Sequence, residues 1–159
     1  MKAILLLLIC VSAFAQHDPS HHHSGTVESR GAEAMGFDQQ KTQHHFLLKP
    51  DGGVIQVTAK DATDTDSLAQ IRSHLKKIAQ EFKAGRFDDP AFIHDRVPPG
   101  VPTMQRLKQE IDYAFVEVPN GAEVRISSKN KEAVKAVRSF FQMQIEDHKT
   151  GDAMREHQH

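Results

Sequence analysis

The chain has one cysteine, Cys10, and it lies inside the apolar opening segment rather than in the body of the protein. With no thiol after residue 15, disulfides and thiol chemistry are excluded there, and stability has to come from packing. Nor does any later apolar run approach the roughly 20 residues of a membrane-spanning helix, so a chain that has lost its opening segment is expected to have no transmembrane anchor. Charge is close to balanced, at −1 with histidine neutral, and no long block of Lys or Arg occurs, which argues against a nucleic-acid partner. G-x-S-x-G, phosphate-cradling glycine loops, CxxCH and CxxC are all missing too, and HxxxH is missing from residues 41–151. These absences weigh against an enzyme and leave no reaction legible.

What the sequence does have begins with its first fifteen residues. Lys2 followed by "AILLLLICVSAFA" has the charged start, short apolar run and small-residue end of a secretory signal. Ala13 and Ala15 flank Phe14 in the A-x-A arrangement, which predicts cleavage between Ala15 and Gln16 and a periplasmic or secreted protein. Ile9 stands before Cys10 where lipid attachment wants a small residue, so no lipid anchor is expected. Residues 16–40, with the tract "HDPSHHHSG", read as a disordered leader, and residues 152–159 as a flexible tail.

Between them, residues 41–151 form one expected domain. "HHFLLKPDGGVIQVTAKDATDTDSLAQIRSHLKKIAQEFKAG" and "YAFVEVPNGAEVRISSKNKEAVKAVRSFFQMQIEDHKTG" each run strand, Pro-Asp/Asn-Gly turn, strand, helix. Asp51-Gly52 and Asn120-Gly121 are hairpin signals because such residues tolerate positive φ. Leu68, Ile71, Leu75, Ile78 and Phe82 make one apolar helical stripe, and Val134, Val137, Phe141 and Ile145 a second. Two such stripes need one face of a sheet. The expected fold is therefore α+β: a two-layer sandwich of a four-stranded antiparallel sheet and two main helices, built from ββα units at 43–85 and 112–151 that look like a duplication. A proline-rich insertion, 86–111, separates them. It is expected to be irregular through "VPPGVP", with a short helix around Met104 and Leu107.

Histidine is the abundant special residue, with eleven in the chain, all beyond residue 15. A two-residue turn at Asp51-Gly52 sets Leu48 opposite Ile55 and Phe46 opposite Val57, turning His44 to the apolar face and His45 to the other. His74 and His148 sit beside the buried stripes of their helices, and His94 sits in the insertion with Asp95 and Met104. Convergence of His44, His74, His94 and His148 would suit zinc or copper, and Met104 would favour copper. Against this stands the plainer expectation of buried, hydrogen-bonded rings that fix the packing. His17, His21, His22 and His23 would bind Cu(II), Ni(II) or Zn(II) weakly from a flexible leader.

At "MGFDQQKTQHHFLLKPDGGVIQV", "IHDRVPPGVPTM" and "FFQMQIEDHKTGD" the chain resembles an uncharacterised family of small exported bacterial proteins, over about Met35 to Asp152. The resemblance covers His44, His45, His74, His94, His148 and the loop ending at Met104. Relatives often have a further histidine where this chain has Lys77. Some carry the label aspartate carbamoyltransferase, but that enzyme is cytoplasmic, larger, and holds phosphate with a Ser-Thr-Arg-Thr turn that is not found here. The resemblance implies boundaries and a fold unit, and no reaction.

Three functions follow as expectations. The first is an exported binding protein that captures a transition metal, copper favoured, through histidines. The second is a structural or protein-interaction module of the periplasm with another exported protein as partner and the proline loop as contact surface. A metal-dependent hydrolase comes third, with Asp95 as its only nameable base.

Overall fold

Both alternating segments fold as hairpins in the computed structural model, which describes residues 26–155. The expected secretory segment, the expected cleavage point and His17, His21, His22 and His23 lie outside the described residues. In the first hairpin, β1 (Thr42–Lys49) pairs antiparallel with β2 (Gly52–Ala59); in the second, β3 (Ile111–Val118) pairs with β4 (Gly121–Ser128). β2 and β4 join antiparallel at the centre, giving one sheet in the order β1-β2-β4-β3. Two long helices, α2 (Thr65–Ala84) and α5 (Lys131–His148), cover one face of it. This is the expected α+β arrangement.

The helices cross over. α2 leaves the first hairpin and packs chiefly on β3 and β4, whereas α5 leaves the second and packs chiefly on β1 and β2. Their boundaries follow from local chemistry. Asp64 caps α2 by accepting from the Ser67 N–H at 3.0 Å, Asn130 caps α5 by accepting from the Glu132 N–H at 2.8 Å, and Gly85 ends α2 in the left-handed region at φ 82°. The expected stripes are in place: Ile71, Leu75, Ile78 and Phe82 on α2, and Val137, Phe141 and Ile145 on α5, are buried against Val57, Val124 and Ile126 of the sheet.

Both turns differ from expectation. Lys49 pairs with Gly52 and Val118 with Gly121, so the turn residues are Pro50-Asp51 and Pro119-Asn120, and Phe46 stands opposite Ile55 rather than Val57. Neither Asp51 nor Asn120 has positive φ. Proline presets the first turn position, and the glycine that follows serves another purpose. A Cβ on Gly121 would stand 1.9 Å from the Val57 carbonyl oxygen, so this residue is glycine because β2 and β4 approach closely there. Since the register moves by two, every side chain keeps its expected face, His44 and His45 included.

The flanking segments are more ordered than expected. Within the supposed leader, Val27–Met35 forms α1, capped by Thr26 and ended by Gly36 at φ 70°. It buries only Gly31 and Met35, so the docking of its end, not an apolar stripe, holds it. Arg30 donates from Nε to the Ile93 carbonyl at 2.7 Å. The insertion also folds, as α3 (Asp88–His94) and α4 (Val101–Arg106). Pro102 falls in the first turn of α4, where a missing N–H costs nothing. Among the described residues no helix is long and apolar enough to cross a membrane.

Candidate metal centre beneath the helices

Four histidines from four elements line one cavity of about 60 Å³: His44 on β1, His74 on α2, His94 at the end of α3 and His148 at the end of α5. That volume exceeds what a single water needs and is far below that of a drug-sized ligand. The rest of the wall is mostly apolar and includes Met35, Phe46, Ile78 and Phe140. The rings of His44 and His148 are nearly parallel at 7°, with centroids 6.5 Å apart. Phe46 lies against His148 at 5.6 Å, and Phe37 stacks on His44 and meets His74 edge-on, each at 5.5 Å.

His94 differs from the other three. Its side chain is fully buried, with Nδ1 at 2.8 Å from Asp147 Oδ2 and Nε2 at 3.0 Å from Gln144 Oε1. Arg96 donates to the same carboxylate oxygen at 2.9 Å. Both ring nitrogens are therefore engaged, and the ring meets His148 edge-on at 5.1 Å. His44 is the opposite case: its Nε2 is buried and has no hydrogen-bond partner.

Burial governs the charge state of the remaining rings. His44 is pushed down to about 4 by loss of water, then by the neighbouring His148, His74 and His45. His74 falls to about 4 for the same first reason, with Asp89 opposing and Lys77 assisting. His148 also falls to about 4 through burial and then His94, against the opposite pull of Asp147 and Glu28. All three are neutral at pH 7, the state in which imidazole can ligate a metal. No three His, Cys, Asp or Glu side chains among the described residues are already placed to hold one ion.

The remaining expected residues lie elsewhere. Met104 is completely buried on α4 and is not on the cavity wall; the thioether there belongs to Met35. Asp95 is exposed, in the left-handed C-cap of α3, and not part of the lining, so nothing in its position suits a base. Lys77, at the position where the resemblance implies a frequent histidine, is tied to Asp89 at 2.9 Å. Sequence reasoning missed Met35 and Phe37, which fell in the supposed leader, and the partners of His94. A usable signal was Met35 and Phe37 themselves, large apolar residues set in polar surroundings just ahead of β1.

His45, on the other face of β1, has a partner of its own. Asp152, from the tail, takes its Nδ1 at 2.9 Å and accepts the Phe46 N–H at 2.8 Å, capping an edge strand that would otherwise offer an open donor. Burial acts to raise the Asp152 carboxyl, but hydrogen bonds from Thr150, Phe46 and His45 hold it below the usual range. Asp152→Ala is expected to cost about 1–2 kcal/mol. Faster exchange of the Phe46 amide with a lower urea midpoint would confirm this, and an unchanged amide would refute it.

A four-stranded sheet covered on one face by two crossed helices, with a histidine-lined cavity where they meet β1, defines this as a small α+β domain with a built interior site. Comparison with known protein families, curated proteins and solved structures finds no match.

Proposed function

We propose that this is an exported binding protein that captures a transition metal, copper favoured, in the histidine-lined cavity. The observation that carries the reading is the buried, unpartnered Nε2 of His44 on a cavity wall shared with His148 and Met35. A buried polar atom left without a partner costs about 1–3 kcal/mol, which an incoming ion would recover. The neutral state of three rings and the presence of a thioether support the choice of a soft or borderline metal. Export rests on the opening segment, and the leader histidines would act as a weaker, separate site.

Calorimetric titration with copper, zinc and nickel tests this on the full chain and on a variant with His17, His21, His22 and His23 replaced by alanine. One tight equivalent should survive in the variant and weaken more than about tenfold on adding His44→Ala, since even outer partners of a metal site are worth that much. Loss of all tight binding with the leader histidines removes the reading. The second reading, a protein-interaction module, draws on Phe92 and Val97, which are 38% and 64% exposed beside the proline loop. It takes first place if no variant binds metal tightly and a cross-linked partner is lost on Phe92→Ser with Val97→Ser.

A further inference from the structure

We propose that the ion the cavity takes is monovalent and soft, Cu(I), held by His44, His148 and the thioether of Met35, with His94 as a positioning residue rather than a ligand. This rests on the metal-capture reading above and adds to it the oxidation state and the donor set.

The first argument is charge. Among the described residues Asp89 is the only carboxylate on the cavity wall, and Glu28, whose charge acts on His148, lies off that wall. Asp89, on its wall, is held by Lys77 at 2.9 Å, and Asp147, behind His94, is shared by His94 at 2.8 Å and Arg96 at 2.9 Å. An ion entering would meet neutral imidazoles, a thioether and apolar walls. The desolvation cost of an ion rises with the square of its charge, so a dication faces roughly four times the penalty of a monocation in the same surroundings.

Coordination number is the second argument. Zn(II) in a structural site takes four protein ligands, and a catalytic Zn(II) takes three. No three His, Cys, Asp or Glu side chains among the described residues are gathered for that. Cu(I) is satisfied by two or three soft neutral donors, and thioether sulfur selects for it. Two imidazoles on one ion, with metal-to-nitrogen bonds of about 2 Å, hold their ring centroids roughly 5–6 Å apart. The 6.5 Å between His44 and His148 is close to that spacing. Methionine, unbranched and adaptable, can bring its sulfur in without disturbing the sheet.

The other two rings are set apart by their contacts. Both His94 nitrogens are engaged, and its edge braces His148. Ring contacts join His44 and His94 to His148, whereas among the described residues none joins His74 to another histidine.

The test uses the full chain with its four leader histidines replaced by alanine. Cu(I) is titrated anaerobically in competition with a chromogenic chelator, and Zn(II) and Cu(II) are titrated in parallel. Cu(I) should bind at one per chain and far more tightly than Zn(II), and near-isosteric Met35→Leu should weaken Cu(I) by at least about tenfold while leaving Zn(II) unchanged. Thermal melts of the metal-free variants check that Met35→Leu is folded, and Ag(I) serves as a redox-silent second probe that should follow Cu(I). Zn(II) or Cu(II) binding as tightly as Cu(I), or Met35→Leu leaving Cu(I) affinity intact, overturns the Cu(I) assignment and leaves metal capture standing. Failure of every ion to bind this variant overturns both.

Discussion

The metal-free protein is expected to lose most of its stability between pH 6.5 and about pH 4. In that window the unfolded chain takes up protons on His44, His74 and His148 and the folded chain does not, because each folded ring titrates near 4 rather than 6.5. Stability from these rings is therefore whole above 6.5 and is lost as the pH falls through the window. Each ring could contribute roughly 3 kcal/mol at one pKa unit per 1.4 kcal/mol. The three contributions overlap, because protonating one ring opposes protonating its neighbour, but against a usual total of about 5–15 kcal/mol they make up a large share of the domain's stability. Urea midpoints at several pH values from 7.5 to 4.5 would show the decline, and His44→Leu should flatten it by about a third. A midpoint unchanged between pH 7 and pH 5 would sink the expectation.

Replacing Phe141 with alanine is expected to cost about 3–5 kcal/mol. The ring is wholly buried, meets Phe46 and Phe140 edge-on at 6.0 Å, and leaves so little room on β2 that a Cβ on Gly53 would stand 2.6 Å from it. Removing it opens a hole between α5 and the first hairpin that neighbours in a two-layer fold cannot close. Phe46 leans on His148, so the variant should also weaken the proposed metal binding at temperatures where it is still folded. Gly53→Ala probes the same contact from the other side and should destabilise by about 1–3 kcal/mol through overpacking. A Phe141→Ala loss below about 1 kcal/mol would mean the core collapses around the gap more easily than this packing allows.

The parts of the fold legible in the sequence were those written in local periodicity. Alternation gave the four strands and their faces, and steps of three and four gave α2 and α5. Three parts were not local. The register at Asp51-Gly52 could not be read because Gly52 and Gly121 answer to the approach of β2 and β4, not to the turn. Helix α1 has no apolar stripe, since it is held by Met35 and by Arg30 reaching a carbonyl 63 residues away. Within the site, facing rules brought His44, His74 and His148 inward, but Met35 in place of Met104, and Asp147 with Gln144 as the holders of His94, depend on where α1 and α3 dock.

The exchange of helices between the hairpins bears on how the chain becomes native. α2 packs more on the second hairpin than on its own and α5 more on the first than on its own, so the first half buries its sheet face fully only with the helix of the second. Closure waits for α5, the last helix among the described residues, to arrive over β1 and β2. Such long-range assembly is slow to begin and all-or-none once begun. The core of this domain is therefore common property of the two halves, and neither half holds a finished piece of it before the other has docked.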